Sequence, residues 1–199
     1  MTEIIPAILA HTETELRAKL AVLPHGATSV HVDFVKMCFA SGLRLCFFEA
    51  HLMFPHPAEY VVVLVKAGFS RIVIQVESVS HETFAELIHE WKHAVEIAPS
   101  LEIETPLEVI DSYAHELASV QLMGIAEIGA QGMVFDERVI PRVAALHAKY
   151  PHLTIAVDGG VNKENAERLV EAGARRFVVG SAIGEFFKTE KTTPPFPSP

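Results

Sequence analysis

The 199-residue chain is half apolar, long enough to bury one sizeable core, and shows no composition break that would mark a second folded unit. Its 16 Lys+Arg against 25 Asp+Glu leave a formal charge of −9 without any basic run, which excludes nucleic acid and anionic membrane surfaces as expected partners. Cys38 and Cys46 are not spaced as a zinc or redox pair, no apolar stretch reaches about 18 residues, and the N-terminus has no leader-like run. The expectation is a soluble, unprocessed, cytoplasmic protein.

In chain order, residues 3–9 form a short apolar run read as a strand, and 13–23 space Leu16, Leu20 and Leu23 at helical intervals. Residues 28–34 are rich in β-formers, with Val30, Val32 and Phe34 on one face and His31 and Asp33 on the other. Only about ten residues precede the next apolar run, 45–52, too few for a full helical crossover, so the second crossover helix is expected to be largely missing. Pro57 opens a helix that Gly68 closes, and 71–76 alternate as a strand. A helix over 81–93 and a strand over 94–101 follow. Thr105-Pro-Leu-Glu108 reads as a capping box opening a helix to residue 117.

The spacing then predicts a strand over 119–125, a glycine-rich loop over 128–133 and a helix over 136–150 stopped by Pro151. A strand over 154–157, a helix over 162–172 closed by Gly173, a strand over 176–179 and a short helix over 181–187 complete the pattern. Strict alternation of apolar strands and helices predicts an α/β fold, a single (β/α)8 TIM-type barrel of near-minimal length over residues 1–188. A doubly wound open sheet is the competing architecture. Residues 189–199 form a proline-rich tail.

In a parallel barrel the functional groups gather at the C-terminal ends of the strands. His31 and Asp33 lie two apart and share a face, His51 ends the next strand, and Asp158 ends the seventh. Two imidazoles and two carboxylates brought together form a mixed nitrogen and oxygen set suited to one divalent metal ion: zinc, iron, manganese or cobalt. A local hydrogen-bonded pair is the ordinary alternative for His31 and Asp33. Gly159-Gly160 and Gly180-Ser181 follow the last two long strands, where bare backbone N–H groups and a helix start suit a phosphate, although glycines there also serve tight turns. Met53 and Met123 end neighbouring strands and line either the substrate pocket or the ordinary core.

These residues resemble the ribulose-phosphate 3-epimerase family. The matching pieces are Pro6-Ala-Ile-Leu9, His31-Val-Asp33, His51-Leu-Met53, Pro57 to Gly68, Thr105-Pro-Leu-Glu-Val109, Val157-Asp-Gly-Gly-Val-Asn162, Glu171-Ala-Gly173 and Gly180-Ser-Ala-Ile183, in the family's order across most of the chain. The resemblance implies that His31, Asp33, His51 and Asp158 hold the metal, with Asp33 and Asp158 also acting as the acid/base pair. It further implies that Gly159, Gly160, Gly180 and Ser181 hold the phosphate of a ketose, epimerised at carbon 3 through an enediolate.

The chain departs from the family pattern at Ala7, usually serine, and at Val35 and Lys36, usually methionine and aspartate. It departs again at residues 126–132, where Ala-Glu-Ile-Gly-Ala-Gln-Gly replaces an Asn-Pro-Gly-Phe-Gly-Gly loop and adds the charge of Glu127. The alternative these departures keep open is a non-catalytic or substrate-shifted relative that binds a sugar phosphate or a protein partner. The short second connection predicts uncovered apolar surface at Cys38, Phe39, Leu43 and Phe47, and with it a homo-oligomer.

Overall fold

Alternation of polar and apolar residues along the strands resolves here into an inside and an outside. The protein is described by a computed structural model covering residues 2–24, 26–34, 47–129 and 132–187. Eight strands pair in parallel and in chain order, and the last pairs with the first. They are β1 (Glu3–Leu9), β2 (Val30–Phe34), β3 (Phe48–Leu52), β4 (Arg71–Gln75), β5 (Glu96–Leu101), β6 (Ser119–Met123), β7 (Thr154–Asp158) and β8 (Arg176–Val179). The expected closed barrel is therefore the observed one, and the open sheet is not.

Helices α1 (Glu13–Leu20), α2 (Val61–Ala67), α3 (His81–Trp91), α4 (Val139–Lys149), α5 (Lys163–Ala172) and the short α6 (Ile183–Phe186) lie between or after the strands. Outward-facing strand residues such as Val30, Val32, Phe34, Ile72, Ile74 and Leu122 join Leu16, Leu64, Phe84, Val143 and Leu169 of the helices in one buried apolar cluster. Parallel strands need this cover on their outer face. The lumen is different. His31, Glu49, His51, Arg71, Gln75, Ser100 and Gln121 are all buried, and they fill the space that branched apolar side chains occupy in most such barrels.

Several predicted element ends move. Helix α1 stops at Leu20, short of residue 23, because Pro24 disfavours helical backbone at the residue before it and the Leu23 amide turns to Leu20 O instead. Helix α4 begins at Val139 because the Asp136 carboxylate accepts from Arg138 N at 3.0 Å in a separate turn. The predicted helix over 105–117 is not formed. Two 3-10 turns, Leu107–Ile110 and Ala114–Glu116, stand in its place. The expected cap fails because the Thr105 hydroxyl donates to Glu77, far away in sequence, rather than serving its own helix. The connection 35–46 and the tail 189–199 lie outside the described residues. So do the expectations of a missing second crossover helix, of uncovered surface at Cys38, Phe39 and Leu43, and of the departures at Val35 and Lys36. Phe47 is described, and the Arg71 guanidinium lies 4.9 Å from its ring centroid.

Candidate active site and metal centre

Register decides which side chains meet. Asp33 pairs with His51 across β2 and β3, Ala7 pairs with His31 across β1 and β2, and Met123 pairs with Asp158 across β6 and β7. One donor atom from each of His31, Asp33, His51 and Asp158 falls within 4.8 Å of all the others. The four residues singled out from sequence therefore do converge. His31 Nε2 lies 3.1 Å from Asp33 Oδ1 and 3.7 Å from Asp158 Oδ2, while His51 Nδ1 is 3.4 Å from each of the same two oxygens.

The outer nitrogen of each ring is held from behind. His31 Nδ1 bonds to the Glu49 carboxylate, and His51 Nε2 donates to Gln75 Oε1 at 3.1 Å. Those bonds turn the inner nitrogens, Nε2 of His31 and Nδ1 of His51, toward the carboxylates. Gln121 Nε2 donates to Asp158 Oδ2 at 3.1 Å and steadies that carboxylate. Glu49, Gln75 and Gln121 were not singled out from the sequence, although each occupies an inward position on its strand.

Burial opposes a charge on either imidazole, but the carboxylates outweigh it. With Asp33 and Glu49 beside it, His31 is raised well above its ordinary pKa. His51 is raised to about 9 because bonds to Asp158 and Asp33 overcome its burial. Burial likewise opposes the charge of Asp33, yet the His31 and His51 rings hold its carboxyl well below the usual range.

Whether these residues suit a metal ion is decided by the spacing and chemistry of their donor atoms. Bond lengths of about 2.0–2.2 Å place the ligands of one ion roughly 3.0–3.6 Å apart. The four imidazole-to-carboxylate separations, 3.1, 3.4, 3.4 and 3.7 Å, match that spacing within about a tenth of an ångström, and all four donors lie within 4.8 Å of one another. Two neutral imidazole nitrogens and two carboxylates are also the donor chemistry that zinc, iron, manganese and cobalt accept. The site fits a divalent metal.

Above it opens a cavity of about 590 Å³ lined by Ala7, Asp33, Met53, Met123, Asp158, Gly159, Gly160, Gly180 and Ser181. Asp33 and Asp158 keep 13% and 10% of their side chains exposed whereas both histidines keep none, so the carboxylates are the metal-site groups that reach the cavity. Both methionines line it, Met123 buried and Met53 partly so. Glu127 is exposed and is not part of the wall. Besides Asp33 and Asp158, the wall carries the acids Glu137, Glu164 and Glu185 and the guanidinium of Arg168, which is bonded to Glu137.

Gly159 and Gly160 have φ of 100° and 68° and lead into α5, whose start is capped by a reciprocal bond between Asn162 and Asn165. A Cβ on Gly160 would stand 2.7 Å from Phe135 Cα. The turn therefore requires glycine here whether or not an anion also binds. Gly160→Ala combines left-handed backbone with a steric clash and is expected to cost about 3 kcal/mol, read from chemical denaturation.

The sequence matches the Ribulose-phosphate 3 epimerase family over residues 3–184. It is 30% identical to the ribulose-phosphate 3-epimerase of Schizosaccharomyces pombe, over 91% of this chain and 86% of that one. The chain belongs to the ribulose-phosphate 3-epimerase family. Membership makes it an enzyme of the epimerase class. The ribulose-phosphate 3-epimerase of Bacillus subtilis is 29% identical, with 92% of each chain covered. Among solved structures, the 3-keto-L-gulonate-6-phosphate decarboxylase of Vibrio cholerae aligns with a TM-score of 0.67 at 13% identity, over 92% of this chain and 90% of that one. At that identity the likeness speaks to the barrel alone.

Proposed function

We propose that the protein is a metal-dependent epimerase acting at carbon 3 of a phosphorylated ketose, of the D-ribulose 5-phosphate and D-xylulose 5-phosphate type. The observation that carries this reading is that Asp33 and Asp158, from β2 and β7, both reach the cavity from a buried set of metal-type donors. Family membership supports the substrate class.

Epimerisation requires the proton on carbon 3, acidified by the neighbouring carbonyl, to leave on one face and a proton to return on the other. In this reading one of the two carboxylates takes the proton, an enediolate forms, and the other carboxylate delivers a proton to the opposite face. The roles exchange when the reaction runs in reverse. His31, Asp33, His51 and Asp158 would hold the ion, which supplies positive charge for the developing oxyanion. Gln121, bonded to Asp158, keeps that carboxylate oriented. Gly159, Gly160, Gly180 and Ser181 would bind the phosphate through backbone N–H groups, and Met53 and Met123 would wall the substrate off from water.

Incubation of metal-replete protein with D-ribulose 5-phosphate in deuterated solvent tests this directly. Deuterium entering carbon 3, with loss of the exchange in chelator, is the expected result. No exchange with metal bound would overturn the substrate assignment. Ala7 in the cavity wall favours a second reading, a substrate-shifted or non-catalytic relative, because it removes a hydroxyl from the family pattern. Robust turnover of D-ribulose 5-phosphate excludes that alternative.

No helix among the described residues is long and apolar enough to cross a membrane. Cytoplasmic location and assembly into a homo-oligomer complete the proposal, supported by cysteine usage and by the short, apolar connection after β2. Sedimentation as a monomer at micromolar concentration would remove the oligomer.

A further inference from the structure

Behind the cavity, a row of charged side chains runs across four strands, buried at His31, Glu49 and Arg71 and a quarter exposed at its far end, Glu96. His31 is the register partner of Glu49, Glu49 of Arg71, and Arg71 of Glu96, on β2, β3, β4 and β5 in turn. One Glu49 oxygen bonds to His31 Nδ1 and the other accepts from Arg71 Nη1. Arg71 Nε lies 2.9 Å from Glu96 Oε2, an ion pair whose angle falls short of a hydrogen bond, and Ser119 donates to the other Glu96 oxygen. The Glu49 side chain is 1% exposed.

We propose that Glu49 is the positioning residue of the metal centre, holding the His31 ring by Nδ1 so that Nε2 is presented to the ion. The proposal rests on the metal-dependent reading above. A buried carboxylate is costly without a counter-charge, and Arg71 provides it. Charge-assisted bonds are about twice as strong as neutral ones, so His31 is held more firmly than His51, whose outer nitrogen meets only the neutral amide of Gln75. A carboxylate behind an imidazole fixes the ring and makes its inner nitrogen a stronger donor, and loss of such a partner typically weakens metal binding about 10–100-fold. The row gives Glu49 no contact with the cavity, and it acts through His31 alone.

The test is cobalt(II) binding to the full-length, metal-stripped protein, followed by visible absorption and by competition with a chelator. Glu49→Gln keeps the shape and removes the charge, and is expected to weaken binding at least tenfold and to alter the cobalt spectrum. Glu96→Gln disturbs the far end of the same row without touching His31, and is expected to bind within about threefold of the unaltered protein with an unchanged spectrum. Equal weakening by the two variants would mean general loosening of the lumen and would overturn the proposal. Unweakened binding by Glu49→Gln would overturn it as well. Should Glu49→Gln not fold, Glu49→Asp, one methylene too short to keep its bond to Nδ1, takes its place with the same expected loss. If the unaltered protein takes up no cobalt, the metal-dependent reading itself fails. If it binds cobalt and the Glu49 variant binds equally well, only the role of Glu49 does.

Discussion

Asp33→Asn and Asp158→Asn are each expected to lower the epimerisation rate by about a thousandfold or more, since a positioned acid or base contributes roughly 10²–10⁴-fold and each carboxylate also donates to the metal set. Loss of rate alone would not separate proton transfer from loss of the ion. Partial exchange does. A variant that keeps one carboxylate can still remove and return the carbon 3 proton on one face, so one epimer should exchange with deuterated solvent without being converted. The exchanging epimer should be the opposite one in the other variant. Full epimerisation by either variant would remove the two-carboxylate mechanism. Exchange of the same epimer by both would show that a different group works the second face.

The second large effect concerns the metal-free protein. His51 is raised from 6.5 to about 9, so the stability it contributes is fully present below pH 6.5 and is lost as the pH climbs through 9. His31 is shifted in the same direction. Glu49 runs the other way. Despite its burial, bonds to His31 and the charge of Arg71 lower it from 4.5 to about 2, so its contribution is present above pH 4.5 and is lost as the pH falls through 2. The site should therefore stabilise the metal-free fold most between about pH 4.5 and 6.5, and His51 alone should withdraw about 3 kcal/mol by pH 9. An ion needs the unprotonated rings and displaces those protons. The rise in Tm on adding zinc should accordingly grow from pH 6.5 to pH 9. Melting curves with and without chelator across that range check both trends, and a metal-induced rise that shrank with pH would contradict the assignment of the two histidines.

The four metal-type residues were legible because Asp33, His51 and Asp158 lie toward the C-terminal ends of their strands and His31 shares a face with Asp33 two residues on. A two-residue period placed His31 beside Asp33, and glycines bounded the strand carrying Asp158. The residues that support them were not. Glu49, Arg71, Gln75, Ser100 and Gln121 occupy every second position of strands whose other face is apolar, and such alternation reads as one face in water until closure turns it inward. The helix expected over 105–117 failed for a related reason: Thr105 found its partner in Glu77, a contact that spacing within the segment does not reveal. Local pattern identified the ends of the strands, while the contents of the lumen depended on the ring being complete.

The charges within that ring also constrain how the strands align as the chain folds. Sliding β4 by two residues along β3 would leave every side chain on its original face, so apolar patterning cannot detect the error. It would, however, set Val73 rather than Arg71 opposite Glu49 and take the guanidinium away from a buried carboxylate oxygen, a penalty of several kcal/mol. At the closing seam Glu3 and Arg176 are register partners joined at 2.9 Å, but Glu3 is nearly half exposed, so a slip there would cost less and would fall mainly on the buried Arg176. A lumen built from opposite charges thus rejects misaligned barrels that an oily lumen would accept.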